Sequence, residues 1–75
     1  MTMHATVLEV RECDLLVCDH CNGQHVVVHT KDTCRFCRCD HVCIEYEGAM
    51  TASLPPQITA TCVVLVCRPC GHHCH

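Results

Sequence analysis

Cysteine and histidine side chains dominate the chemistry that this sequence can perform. The chain has eleven Cys and eight His, about a quarter of its 75 residues. Thiolates and imidazoles are the ligands that zinc prefers in proteins. Cysteine at this density is far above ordinary usage and is typical of a chain that is cross-linked or metal-bound. The composition therefore predicts metal sites, and the spacing of the ligands indicates where they are.

The clearest ligand spacing is a pair of C-x-x-C motifs, Cys18 with Cys21 and Cys34 with Cys37, separated by twelve residues. A two-residue gap lets both sulfurs of a turn face one ion at about 2.3 Å. Two such motifs match the spacing of structural zinc sites. We predict a four-thiolate zinc site in which the intervening hairpin brings the two turns together at one end of the fold.

The run from Cys34 to Cys43 holds more ligands than one zinc ion needs. Cys39, His41 and Cys43 are possible additional metal ligands, either in a cluster with a shared thiolate or in a different site. An iron–sulfur cluster on Cys34, Cys37, Cys39 and Cys43 is the alternative. Its spacing is one residue short of the bacterial ferredoxin run, and no proline follows Cys43. An ordinary exposed thiol at Cys43 is a third interpretation.

The last nine residues, 67–75, form a Cys/His-rich tail that predicts a second zinc site. Cys67, Cys70 and Cys74 with one imidazole would give a three-thiolate, one-imidazole site. The imidazole candidates are His72 and His75, with His73 as a possible additional ligand. A tract of this composition can also bind metal without a unique geometry. Together the two sites predict about two zinc ions for each chain.

The amino terminus suggests a copper or nickel site. If Met1 is removed, the new terminal amine, two backbone amides and His4 in third place supply four nitrogens. This is the planar donor set that copper(II) and nickel(II) prefer. His4 is therefore a candidate ligand for these two metals.

Short apolar segments would have to position these ligands, and they have the pattern of strands. They alternate in polarity or are β-branched, and they cover residues 5–11, 14–18, 24–30, 42–47 and 58–67. Asn22-Gly23 is typical of a type I′ hairpin turn. Pro55 and Pro56 exclude a central strand between the last two segments. Cys62 shares a strand face with Ile58, so we expect it to be buried as a small apolar side chain.

These elements predict an all-β fold. Five strands with polar, Gly- and Pro-bearing connections indicate a small OB-like barrel or a strongly bent antiparallel sheet. Residues 32–37 could form at most one helical turn. We expect one β-barrel domain over residues 1–66, with inserted C-x-x-C turns, followed by the tail at 67–75. A chain this short buries too little surface for a large core, so metal would supply the missing stability.

A resemblance to a known group supports the barrel. The order Ala5-Thr-Val-Leu-Glu-Val, then 24–30, then 42–48 running into Gly48–Ala60 resembles small uncharacterised bacterial barrel proteins. The resemblance spans about residues 3–66. It implies the fold and no activity. Because those proteins are less rich in Cys and His, it also implies that the metal ligands are a local addition to an existing barrel.

Charge and composition exclude several classes of function. The net charge of −3 gives no attraction to phosphate backbones, and Phe36 and Tyr46 are too few aromatics for base stacking. No stretch approaches the ~20 apolar residues of a membrane helix. Without a signal segment we expect a cytoplasmic protein, and disulfides rank below metal because the number of Cys is odd.

The function that these observations predict is zinc binding by a non-enzymatic protein. Structural zinc would hold the fold, and the protein would act as a binding module for another protein or for a second copy of itself. Alternatives are a metal buffer or sensor resembling metallothioneins, and an iron–sulfur electron carrier. A dithiol redox protein is disfavoured because no βαβ pattern surrounds either C-x-x-C pair.

Overall fold

The computed structural model describes residues 1–48 and 50–69 and confirms the all-β prediction. Within that part of the chain the strands are β1 (Thr2–Val10), β2 (Asp14–Asp19), β3 (His25–His29), β4 (His41–Tyr46) and β5 (Gln57–Cys67), with one 3₁₀ turn at Thr33–Arg35. Pro55 and Pro56 lie in the connection before β5, as predicted. No helix among the described residues is long and apolar enough to cross a membrane.

The strands form a closed barrel in the order β1-β2-β3-β5-β4. β1 closes it, because it pairs antiparallel with β2 on one side and with β4 on the other. β4 pairs antiparallel with β5, whereas β3 pairs parallel with the first residues of β5. Of the two architectures that the sequence predicts, the structure therefore has the barrel.

The hydrophobic core cluster contains no described cysteine. Alternate residues of β1, β2 and β4 point inward, as the two-residue period of a strand requires. The core comprises Met3, Ala5, Val7, Leu15, Val17, Val26, Val28, Phe36, Val42, Ile44, Tyr46, Ile58 and Val63. Within the described residues, every buried side-chain nitrogen or oxygen has a hydrogen-bond partner. The core cluster therefore includes no Cys, His, Asp or Glu side chain.

The expected burial of Cys62 is wrong, because β5 contains an irregularity. Glu45 of β4 pairs with Cys62, but its neighbour Tyr46 pairs with Ala60, so Thr61 is an extra residue in the ladder. Such a bulge exchanges the two faces of the strand beyond it. Val63 consequently faces the core and Cys62 is exposed.

The β2–β3 connection is also wider than the predicted two-residue type I′ turn. Gly23 has a positive φ of 71°, but Asn22 is not in the left-handed region that a type I′ turn requires at both positions. The Cys21 N–H instead donates to Asp19 Oδ1 at 2.8 Å, and the Gly23 N–H donates to the Asp19 carbonyl at 2.8 Å. Asp19 therefore organises the loop that contains Cys21.

The segment between β3 and β4, which we call the crossing segment, runs from the β1–β2 connection to the middle of β1. At its start the Thr33 hydroxyl donates to the Glu12 carbonyl at 3.1 Å. At its end the Cys39 N–H donates to the Val7 carbonyl at 2.7 Å. Between these points Phe36 enters the core and is 2% exposed. This crossing segment gives the barrel its largest fully buried side chain.

Removing the Phe36 ring should destabilise the barrel strongly. We expect Phe36→Ala to lower the free energy of unfolding by about 3–5 kcal/mol, since a fully buried ring would leave a cavity. Urea denaturation followed by circular dichroism measures this change. Phe36→Leu, which keeps much of the apolar volume, is the matched control and should lose less. Equal stabilities for Phe36→Ala and the wild type would contradict the assigned role.

Candidate metal centre

The two C-x-x-C motifs lie at different ends of the β2–β3 hairpin. Cys18 pairs with His25 at the end where the chain turns, and Cys21 lies in the turn itself. Cys34 lies in the 3₁₀ turn beyond the open end of the hairpin, where Asp14 pairs with His29. The hairpin therefore separates the two motifs by its own length, and the expected meeting of the two turns does not occur.

Cys37 departs from the four-thiolate prediction in a second way, because it is disulfide-bonded. Its sulfur is therefore not a thiolate ligand in this structure. The cytoplasmic location stays a prediction.

No ready-made metal centre is present in residues 1–48 and 50–69. No group of three or more Cys, His, Asp or Glu side chains in those ranges is placed to hold a metal ion. Cys34 and Cys39 are exposed in the crossing segment, whereas Cys43 lies on β4. The structure thus brings together neither the four predicted zinc thiolates nor the four sulfurs of the alternative iron–sulfur cluster.

The predicted second zinc site falls mostly beyond the described part of the chain. Cys67 is exposed at the end of β5, where it pairs with His41. The other predicted ligands lie outside the described residues: Cys70, His72, His73, Cys74 and His75. The tail site stays a prediction.

The predicted copper or nickel site at His4 requires the removal of Met1, which is present in this structure, so the site stays a prediction. The Met1 amine donates to the Tyr46 carbonyl at 2.8 Å, and the next two residues pair with β4. His4 itself contacts Cys43, its partner across the β1–β4 ladder.

Cys and His residues do come together on the outside of β2, β1 and β4. Residues opposite one another in antiparallel strands share a face and lie about 4.5–5.5 Å apart. One such row is Cys18, Thr6 and His41; the next is His20, His4 and Cys43. We call these six residues the outer patch. None of the six is buried.

Two side-chain pairs are already in contact within the outer patch. Cys43 Sγ lies 3.8 Å from His4 Nε2. The rings of His20 and His41 have centroids 5.3 Å apart and an interplanar angle of 73°. His20 Nε2 also lies within hydrogen-bond distance, 2.6 Å, of Thr6 Oγ1. The patch therefore contains two adjoining pairs of contacting side chains around one threonine.

The reasoning from sequence identified Cys18, His41, Cys43 and His4 separately but did not include His20. His20 lies between the two cysteines of the first C-x-x-C motif. That motif is recognised from its cysteines alone, so the histidine between them was not considered as a ligand. It joins the patch because its N–H donates to the His4 carbonyl at 2.9 Å, which extends the β1–β2 ladder. The alternation of Cys18, Asp19 and His20 is the signal that could have indicated this position.

The crossing segment ends in a buried ion pair next to the patch. Both oxygens of Asp40 accept hydrogen bonds from Arg68 at 3.0 Å, and one also accepts the Cys37 N–H at 2.8 Å. Burial of the carboxylate raises the pKa of Asp40, but the bonds from Arg68 and Cys37 outweigh it and leave the pKa below its usual value. The pair ties the end of β5 to the start of β4.

Asp40→Asn should weaken the fold and change its response to acid. A folded-state pKa below the unfolded value stabilises the protein above about pH 4, and that stabilisation is lost as pH falls through the folded pKa. We expect the free energy of unfolding of the variant to be about 1–3 kcal/mol lower than that of the wild type at pH 7. On acidification to pH 3 the free energy of unfolding should fall less in the variant than in the wild type. Urea denaturation at pH 7 and pH 3 tests both points. Asp32→Asn, at an exposed position of the same segment, is the control; identical acid responses for Asp40→Asn and the wild type would refute this role.

The fold and the outer patch define a small closed β-barrel with thiols and imidazoles on its outside. In comparisons with known proteins, no family model, curated protein or solved structure matches the chain. The predicted resemblance to bacterial barrel proteins stays a prediction.

Proposed function

We propose that the protein binds zinc on the outside of its barrel and acts as a metal buffer or carrier. Thiolates and imidazoles suit zinc and other borderline or soft metals better than magnesium or calcium. In this proposal the metal is cargo for a barrel that folds on its own. It follows the metal-buffer alternative from the sequence rather than the structural-zinc hypothesis.

The observation that carries the proposal is where the cysteines lie. Cysteine is normally among the most buried residue types. Here none of the eight described free cysteines is buried; six are exposed and two are intermediate. The five described histidines also lie outside the core. Ligation of metal accounts for this placement, whereas packing does not.

The apolar core argues against a structural role for the metal. Small domains that need zinc lack enough core to fold without it. This barrel has a closed strand order, a continuous apolar interior and a buried ion pair between Asp40 and Arg68. These features support a barrel that folds without zinc.

Two finer predictions have partial support. The strand order, with β3 parallel to β5, supports an OB-like barrel. Binding to a protein partner or to a second copy of the chain is supported by the outer surface of β5. There Val64 is 52% exposed and Val66 is 59% exposed. Exposed apolar side chains in one strand are typical of interaction surfaces when they form a patch.

Removing zinc should leave the barrel folded. We expect chelator-treated protein to keep its β-sheet circular dichroism and a cooperative thermal transition. Zinc added back at about 100 times its Kd should raise the free energy of unfolding by about 2.7 kcal/mol for each site. Elemental analysis of anaerobically purified protein, before and after chelation, gives the stoichiometry. Unfolding on chelation would favour structural zinc instead, and a chain that binds no zinc would overturn the proposal.

The free thiols should also react in the folded, metal-free protein. We expect iodoacetamide to modify all eight described free cysteines under native conditions, because none is buried. Peptide mass spectrometry locates the modified residues. The alkylated protein should then bind much less zinc. The exposed side chain of Lys31 should stay unmodified, which is the control that the reagent reacts with thiols. Thiols that react only in denaturant would contradict their assigned exposure.

A further inference from the structure

We propose that His4, His20, His41 and Cys43 form one zinc site across β1, β4 and the end of β2. This inference rests on the proposed zinc binding and assigns it to residues. The four side chains share the outer patch, and they form the two contacting pairs described above. Each pair already has the spacing of two ligands on one ion.

The first pair is His4 with Cys43. Zinc binds thiolate at about 2.3 Å and imidazole nitrogen at about 2.0–2.1 Å, so a tetrahedral ion places the two donor atoms roughly 3.6 Å apart. In the structure Cys43 Sγ and His4 Nε2 are 3.8 Å apart. The two residues are direct partners in the β1–β4 ladder, so the backbone keeps them opposite each other on one face of the sheet.

The second pair is His20 with His41. Two imidazoles on one tetrahedral zinc have ring centroids roughly 5 Å apart, given zinc–nitrogen bonds of about 2.0–2.1 Å. The observed separation is 5.3 Å. Thr6 lies opposite His41 in the ladder and its Oγ1 contacts His20 Nε2 at 2.6 Å. That hydrogen bond occupies Nε2, so Nδ1 is the nitrogen that His20 would offer to a metal, and Thr6 would orient the ring as outer-shell partners orient histidine ligands.

The two pairs adjoin through the backbone. The His20 N–H donates to the His4 carbonyl, and His41 and Cys43 are two residues apart on the same face of β4. Because no three of these donors converge in the described conformation, binding requires the side chains to rotate. His4 and His20 are exposed, so they can change rotamer quickly while the strands stay in place.

The chemistry of the four donors defines a binding site rather than a catalytic one. Three imidazoles and one thiolate complete a tetrahedron, so no position stays open for a substrate or water. Zinc binds the deprotonated thiol, so metal binding at Cys43 should be accompanied by proton release. The donor set suits zinc. Cobalt(II) can take the place of zinc in such a site and serves as a coloured probe.

Metal titration of matched variants tests the assignment. In anaerobic buffer, zinc affinity is measured by competition with a chromophoric chelator for the wild type, His20→Ala, His41→Ala and Cys43→Ser. Each variant should weaken the tightest site by about 100-fold or more, because even outer-shell partners are worth 10–100-fold. His25→Ala is the control, since His25 is exposed on β3 and belongs to neither pair. Its affinity should equal that of the wild type.

The cobalt spectrum adds a readout for the single thiolate. The first equivalent of cobalt(II) should give a thiolate-to-cobalt charge-transfer band together with the visible bands of a tetrahedral ion. Cys43→Ser should lose the charge-transfer band, whereas Cys13→Ser should keep it. Retention of that band in Cys43→Ser would overturn the site.

A measurement on the unmodified chain guards against variants that fail to fold. One equivalent of zinc should protect Cys43 from iodoacetamide while exposed Cys13 still reacts. If zinc binds but leaves Cys43 reactive and the histidine variants unaffected, the site is wrong while the proposed function stands. If the wild type binds no zinc, both proposals fail.

Discussion

The register of β1 against β2 and β4 separates the apolar core from the chemically active surface. Met3, Ala5 and Val7 point inward, and His4 and Thr6 between them point outward. Because side chains alternate strictly, a slip of one residue would bury the imidazole and expose the apolar side chains. Burying one large apolar side chain is worth about 1.5–3 kcal/mol, so the core decides the register. The outer patch is therefore held in place by core residues that do not belong to it.

The crossing segment couples this register to the rest of the barrel. Val7 exchanges backbone hydrogen bonds with Cys39 and Asp40, immediately before β4 begins. Asp40 is fully buried and is satisfied by Arg68 at the end of β5. A buried carboxylate without partners would be strongly destabilising, so its bonds fix how the start of β4 meets β1. The position of His41, the next residue, follows from that contact.

The strands could be predicted from sequence because their signal is local. Alternation in β4 and the Val run in β3 each indicate a strand from a few residues. Whether the two C-x-x-C motifs lie close together in space could not be predicted in this way. Their spacing along the chain does not determine the end of the hairpin at which each motif lies. His20 and Cys62 show the same limit, because one depends on a ladder partner and the other on a bulge. Register and bulges arise from packing between strands, which a single segment does not encode.

The separation of core from ligands has a consequence for metal exchange. In a zinc finger, releasing the ion costs the folding free energy, so metal stays bound as long as the domain is folded. In the proposed site the ligands are side chains on paired strands, and none of them belongs to the apolar core. Release of an ion would then require only rotation of exposed imidazoles and protonation of a thiol. On this proposal the barrel would load and unload metal without passing through an unfolded state, which is what a buffer or carrier requires.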